Sequence, residues 1–267
     1  MQVVILCGGQ GTRLREETEY RPKPLVDVGG RPILWHIMKL YAHYGFRDFV
    51  LCLGYRGNMI KEYFLNYEAM NNDFTINLGR DANTIHYHQA HDEQGFRVTL
   101  ADTGIESMTG ARLKRVERYL TGDTFMLTYG DGLSNVNIAK ALAFHQAHGR
   151  LGTVTTVRPQ LRYGIVEIDE AQGHVAAFTE KPQVSSSISA GFFIFQRGVL
   201  DYVSAEADCV FEREPLERLA REQQLMPYQH EGFFYAMDTY REYLFLNDLW
   251  KSGDAPWAVW QQELTHV

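Results

Sequence analysis

The 267 residues are 45% hydrophobic and 22% charged, an ordinary globular balance that excludes a disordered chain and suffices for a substantial core. Lys plus Arg total 26 against 33 for Asp plus Glu, a formal net charge of −7 that argues against a broad basic surface for nucleic acid or anionic lipid. A local phosphate site stays compatible with that charge.

In chain order, Val3–Leu6 is a near-continuous apolar run, as expected of a strand covered on both faces. Ile33, Ile37, Leu40, Tyr41 and Tyr44 recur at helical spacing, and Gly45 stops that helix before a second apolar strand, Phe49–Leu53. The stretch Asn66–Gln94 is polar and rich in Asn and His; it reads as an excursion or a subunit contact. A helical stretch over about Arg112–Leu120 leads to a third strand, Phe125–Tyr129, and a helix over Ile138–His148 ends at Gly149. This alternation predicts an α/β fold with a doubly wound, mostly parallel sheet. After Gly152 the pattern changes. Thr153–Val157, Ile165–Ile168, Val175–Thr179 and Gly191–Phe195 predict mixed or antiparallel strands that close one side of the sheet, and Tyr240–Trp250 predicts a terminal helix. With no repeat and no low-complexity linker, a single domain over 1–267 is expected. Cys7, Cys52 and Cys209 lie far apart without paired metal-ligand spacing. They fit a reducing compartment better than a disulfide scaffold. No stretch approaches the roughly 20 apolar residues that span a bilayer, and the first residues run straight into a strand without a basic or cleavable apolar segment. A cytoplasmic setting is expected.

The strongest local signal follows the first strand: Leu6-Cys7-Gly8-Gly9-Gln10-Gly11-Thr12-Arg13-Leu14. Glycines let the backbone approach a ligand and turn its N–H groups toward phosphate oxygens, and Arg13 adds a cation suited to a polyphosphate. A plain strand-to-helix turn is the simpler alternative. A dinucleotide-binding loop is a rival, although Leu14 stands where its third small residue belongs and no acid ends the second strand. In Arg21-Pro22-Lys23-Pro24 the prolines restrict the backbone around Lys23, a held cation suited to a leaving polyphosphate. Tyr129-Gly130-Asp131-Gly132 follows the third strand, at a carboxyl end facing the crevice of an open α/β sheet. A lone carboxylate there suits a Mg²⁺ bridging phosphates, and Asp238 is the candidate to share the ion unless it merely caps the last helix. In Glu180-Lys181-Pro182, Lys181 is placed to neutralise a second substrate's phosphate, with Glu180 orienting it or a sugar hydroxyl; a surface turn is the plainer reading. His86, His88 and His91 are weighed as metal ligands against a polar face at a loop or subunit contact, and the polar face is preferred.

These motifs, in this order and over nearly the whole chain, resemble the sugar-1-phosphate nucleotidyltransferase family. The resemblance narrows to the subgroup that transfers a cytidylyl group from CTP to glucose 1-phosphate. It rests on Gly30 through Met38, Ile60 through Phe64, Asp102-Thr103-Gly104, Met108 through Val116, Tyr129 through Gly132 and Ala255-Pro256-Trp257. It implies a Rossmann-like, nucleotidyltransferase-type fold, with a nucleotide-binding part over about 1–132 and a sugar-phosphate-binding and C-terminal part over about 133–267. By that resemblance Leu6, Cys7, Gly8, Gly9, Gln10, Gly11, Thr12 and Arg13 hold the nucleotide, Lys23 its phosphates, and Ser107, Arg112 and Gly130 complete its recognition. Arg13, Lys23 and Lys181 are the expected catalytic cations. Glu180, Lys181 and Gly191 meet the sugar phosphate, and Asp131 with Asp238 binds Mg²⁺. A homo-oligomer, a hexamer, and a place in making dideoxyhexoses for cell-surface lipopolysaccharide and O-antigen are also implied. Ala111 stands where the subgroup has a second glycine, and Ser189-Ala190-Gly191 where it has Asn-Gly-Gly, beside the expected sugar pocket. Use of UTP or dTTP, or a nucleotide-binding regulatory subunit without turnover, stays open.

Overall fold

The most apolar runs of the chain form the middle of one sheet. The computed structural model describes residues 1–79, 84–88, 91–159, 163–183 and 186–262. Its main sheet contains β1 (Gln2–Leu6), β2 (Asp48–Leu53), β3 (Arg97–Asp102), β4 (Thr124–Tyr129), β5 (Gly152–Val157), β6 (Ile188–Gln196) and β7 (Leu225–Gln229). The order across it is β7-β5-β6-β4-β1-β2-β3. β1 runs parallel to β2 and β4, β2 to β3, and β5 to β7, while β6 is antiparallel between β5 and β4. The expected α/β, mostly parallel mixed sheet is therefore observed.

The continuous apolar character of β1 has a direct cause. Val3 and Ile5 point into one half of the core and Val4 and Leu6 into the other, so both faces are dry. The first half is built with Ile33, Ile37, Leu40 and Tyr41 of helix α1 (Ile33–His43), the second with Leu113 of α2 (Thr109–Arg115) and with Phe193, Phe195 and Phe211. Helix α3 (Ile138–His148) starts at Asn137, whose side chain accepts from the Lys140 N–H, and stops at Gly149. Helix α4 (Glu214–Arg221) precedes β7, and α5 (Tyr240–Ser252) is the last long helix among the described residues.

Two expectations are corrected. α2 begins at Thr109, ahead of the expected Arg112, and gives way to a 3-10 turn at Glu117–Tyr119; its first turn carries Thr109 and Gly110, which leave no apolar periodicity. Ile165–Asp169 and His174–Thr179 do not close the sheet. They pair only with each other, as an exposed hairpin outside it, because apolar alternation marks a strand but not its partner. The sheet's edge is instead β7, whose Pro227 suits an outermost strand, where a missing N–H costs least. In the polar stretch Asn66–Gln94, Phe74–Asn77 pairs with Thr84–Tyr87 as a second hairpin, while residues 80–83, 89 and 90 lie outside the described residues.

Parallel pairing sets the carboxyl ends of β1, β2, β3 and β4 along one edge, and antiparallel β6 brings its amino end to the same edge. The glycine loop follows β1 and Asp131 follows β4 at that edge, while Asp238 follows Phe234–Ala236 and Glu180-Lys181 follow His174–Thr179, both outside the main sheet.

Candidate active site

The glycine loop leaves β1 at Leu6, and its shape is set by one buried cation. Arg112, on α2 and 4% exposed, sends its guanidinium among three loops. It donates to the carbonyls of Gly8 (3.1 Å), Leu53 (3.1 Å), Gly104 (2.8 Å) and Ile105 (3.1 Å), and to Thr103 Oγ1 (2.9 Å). A Cβ on Gly8 would collide with that guanidinium, so the glycine is a packing requirement here. Burial presses the Arg112 pKa below the usual arginine range, and five acceptors occupy its Nη1 and Nη2 protons. Arg112 thus pins the loops after β1, β2 and β3. Ser107 is likewise engaged: its hydroxyl donates to the Thr103 carbonyl at 2.5 Å and accepts from Arg115 at 2.6 Å.

A cavity of about 320 Å³ lies against this loop. Leu6, Cys7, Gly8, Gly9, Gly11, Thr12, Arg13, Lys23, Ser107, Arg112, Gly130 and Asp131 line it, and Gln10, which is exposed, does not. Pro24, Met108, Thr109 and Tyr129 complete the lining; the sequence motifs did not single them out for a ligand. Cys7 is buried, and desolvation pushes its thiol well above the ordinary cysteine range, so it stays protonated and is no nucleophile.

The charged cluster sits at one side of this cavity. Lys23, in a 3-10 turn behind extended Pro22, is 8% exposed. Its ammonium donates to Asp131 Oδ2 and Asp238 Oδ1, each at 2.7 Å, and Arg13 reaches the same Asp238 oxygen at 2.9 Å. Burial opposes the charge on Lys23, but the field and hydrogen bonds of the two carboxylates outweigh it and raise its pKa above the usual lysine value. The carboxylates come from segments more than a hundred residues apart. Gly132–Ser134 pairs antiparallel with Phe234–Ala236, and the Met237 N–H donates to the Asp131 carbonyl at 2.9 Å, holding them side by side. Helix α5 is capped by Thr239 in a capping box, not by Asp238. Glu242 accepts from the N–H groups of Asp238 (2.7 Å) and Thr239 (2.8 Å), which leaves the Asp238 carboxylate facing Lys23. Glu242 is thus a supporting residue the motifs missed; its signal, an acid three positions after a Thr at a helix start, was present.

Two carboxylates already sharing a single ammonium offer hard oxygen donors suited to Mg²⁺, which takes one or two protein carboxylates and completes its shell with phosphate oxygens and water. Among the described residues no group of three or more His, Cys, Asp or Glu is placed to hold a metal ion. His88 is engaged with Thr75 Oγ1 (2.8 Å) and His91 with Glu68 (2.7 Å).

A second cavity, of about 730 Å³, opens on the other side of Asp238. Lys181, Arg158 and Arg241 give it positive charge, and Phe234, Tyr235 and Phe245 give it apolar walls. Lys181, half-exposed and in a left-handed backbone conformation, lies 3.6 Å from Glu180. Glu180 and Gly191, both expected to meet the sugar phosphate, are outside the lining of this cavity. Gly191 (φ 84°) serves its neighbour: a Cβ there would strike the Tyr129 ring. Arg158 and Arg241 went unremarked because single arginines outside any motif carry no local signal.

The family model described as nucleotidyl transferase matches residues 2–231. The chain belongs to that family. This nucleotidyl transferase is 44% identical over 263 residues to the glucose-1-phosphate cytidylyltransferase of Salmonella typhi, covering 98% of this chain and 100% of that one. It is 40% identical over 260 residues to the probable glucose-1-phosphate cytidylyltransferase of Bacillus subtilis, covering 97% and 100%. Its fold matches that of a putative glucose-1-phosphate thymidylyltransferase from Bacillus anthracis, with a TM-score of 0.67 at 18% identity over 93% of this chain and 94% of that one. Among the described residues, no helix of the nucleotidyl transferase is long and apolar enough to cross a membrane.

Proposed function

We propose that this chain transfers a cytidylyl group from CTP to α-D-glucose 1-phosphate, giving CDP-glucose and pyrophosphate in a Mg²⁺-dependent reaction. The observation that carries this reading is the convergence of Arg13, Lys23, Asp131 and Asp238 between a glycine-loop cavity and a second, Lys181-lined cavity. CTP fills the first, with its phosphates toward Arg13 and Lys23; the sugar phosphate fills the second, met by Lys181. Full-length similarity to the Salmonella typhi protein supports the choice of CTP and glucose 1-phosphate. The nucleotide part is then about 1–132 and the sugar-phosphate part about 133–267, and the active assembly is a homo-oligomer, a hexamer, in a reducing cytoplasm.

The chemistry needs little from the protein. A phosphate monoester has a second pKa of about 6, so the sugar phosphate is already largely a dianion near neutrality and no side-chain base is required. One of its oxygens bonds to the α-phosphorus in line, the bond from that phosphorus to the bridging oxygen breaks, and pyrophosphate leaves with the electron pair. Lys23 and Arg13 oppose the charge that gathers on the phosphates, and Lys181 fixes the attacking group. Glu180 orients Lys181. Asp131 and Asp238 hold the Mg²⁺, which when bound neutralises triphosphate charge. Positioning and charge stabilisation therefore account for catalysis.

The test is pyrophosphate release with Mg²⁺ across CTP, UTP, dTTP, ATP and GTP against several sugar 1-phosphates. Turnover confined to CTP with glucose 1-phosphate is expected. CTP with another sugar would overturn the sugar assignment and point to Ser189-Ala190; UTP or dTTP would overturn the base. CTP binding without turnover would make the chain a regulatory subunit.

A further inference from the structure

The nucleotide cavity has two flanks of different chemistry. Lys23 leads into Val26 and Val28, which belong to one half of the core, and the phosphate-directed charges gather on that side. Tyr129 packs against the other half, and there the wall is made by Ser107, Met108, Thr109 and Tyr129. A nucleotide with its phosphates at Lys23 extends its base toward this second flank.

Next to Thr109 and Tyr129, outside the cavity's own lining, stands Glu212, exposed to solvent yet held firmly. Its Oε1 accepts from the Tyr129 hydroxyl and its Oε2 from the Thr109 hydroxyl, each at 2.5 Å. Thr109 Oγ1 in turn accepts from the Phe211 N–H at 2.9 Å, and the N–H groups of Gly110 and Ala111 donate to the Cys209 carbonyl at 2.9 and 3.2 Å. The segment carrying Glu212 is thereby stitched to the start of α2.

The consequence is a rim of acceptors. Both hydroxyl protons are spent on Glu212, and an ionised carboxylate has about four lone-pair sites, of which these bonds use two. The other two can accept from a further donor. Cytosine carries an N4 amino donor where uracil and thymine carry a carbonyl acceptor. Resting on the cytidylyl-transfer reading above, we propose that Glu212 selects the base, accepting from the exocyclic amine of cytosine and repelling the carbonyl oxygen of uracil or thymine.

The experiment measures kcat/KM for CTP and UTP, with glucose 1-phosphate saturating, in the wild type, Glu212→Gln and Glu212→Ala. Fold is checked by circular dichroism, and equilibrium binding of CMP and UMP gives a second readout. Glu212→Gln keeps the side-chain shape but can present an N–H₂ donor. Its CTP-to-UTP preference should fall at least tenfold, the CMP-to-UMP binding ratio should fall with it, and KM for glucose 1-phosphate should stay unchanged. Tyr129→Phe, which keeps the carboxylate but removes one of the two hydroxyls that hold it in place, should shift the preference the same way by less. An unchanged CTP-to-UTP ratio in whichever Glu212 variant folds overturns the inference while leaving cytidylyl transfer intact. A wild type that prefers UTP overturns the cytidylyl reading itself.

Discussion

Replacing Lys23 by Met keeps the length and apolar stem of the side chain but deletes the ammonium shared by Asp131 and Asp238. Two hydrogen bonds of 2.7 Å are lost, and two carboxylates are left facing each other. A hydrogen bond to a charged group is worth about 1.5–3 kcal/mol. The Asp131 and Asp238 side chains retain 30% and 26% exposure, so water softens the loss. The low end applies, and the sum is about 3 kcal/mol of folding stability. Urea unfolding at neutral pH without metal measures it. Titrated with Mg²⁺, Lys23→Met should recover stability, by about 2.7 kcal/mol at a hundredfold excess over the dissociation constant, because the cation replaces the missing ammonium. The wild type should gain less, since its ammonium already occupies the carboxylates. Pyrophosphate release should fall roughly a hundredfold, about 3 kcal/mol of transition-state stabilisation. A variant as stable as the wild type without metal, and no more responsive to Mg²⁺, would refute the reasoning.

Three other outcomes follow from the same contacts. Asp131→Asn and Asp238→Asn should each abolish most pyrophosphate release at saturating Mg²⁺; near-normal release from both would remove the carboxylate pair from the site. Gly8→Ala should lower stability by about 1–3 kcal/mol, the usual cost of overpacking, by driving Arg112 from the Gly8 carbonyl, and a thermal melt equal to wild type would contradict that packing. His36 is fully buried, its Nε2–H donating to the Val28 carbonyl at 2.8 Å and its Nδ1 accepting from Trp257 at 3.2 Å. Burial lowers its pKa to about 4, and that of buried His145 likewise to about 4. The unfolded chain therefore binds protons the folded one refuses. Stability from His36 is complete above pH 6.5, falls as pH drops from 6.5 toward 4, and changes no further below, by about 3 kcal/mol in all. His36→Gln should flatten that slope in denaturation curves, leaving the His145 share; an unaltered slope would count against it.

Several elements were legible because their cause is local. Val3–Leu6 shows its double burial as an unbroken apolar run, α3 shows its ends in Asn137 and Gly149, and Lys23 is marked by its flanking prolines. The glycine loop, Asp131 and Asp238 could be singled out because each sits at the end of a predicted strand or the start of a helix. Elements whose cause is a distant partner were not legible. β7 was missed and the Ile165–Thr179 hairpin was assigned to the wrong sheet, since periodicity reports a strand's faces and not its neighbours. Arg112 was expected to help recognise the nucleotide; that its guanidinium also ties together the carbonyls of Gly8, Leu53, Gly104 and Ile105 depends on three loops meeting.

The amino-acid sequence by itself determined the parallel core, the glycine loop behind β1 and the identities of the charged groups, because hydrophobic period, glycine and proline act within a few residues. Only the tertiary structure decided that one ammonium joins Asp131 to Asp238 and that Glu212 is locked between Thr109 and Tyr129. Such pairings are electrostatic contacts across segments far apart in the chain. Their partners are chosen by the sheet order that brings the segments together, and no local pattern records it.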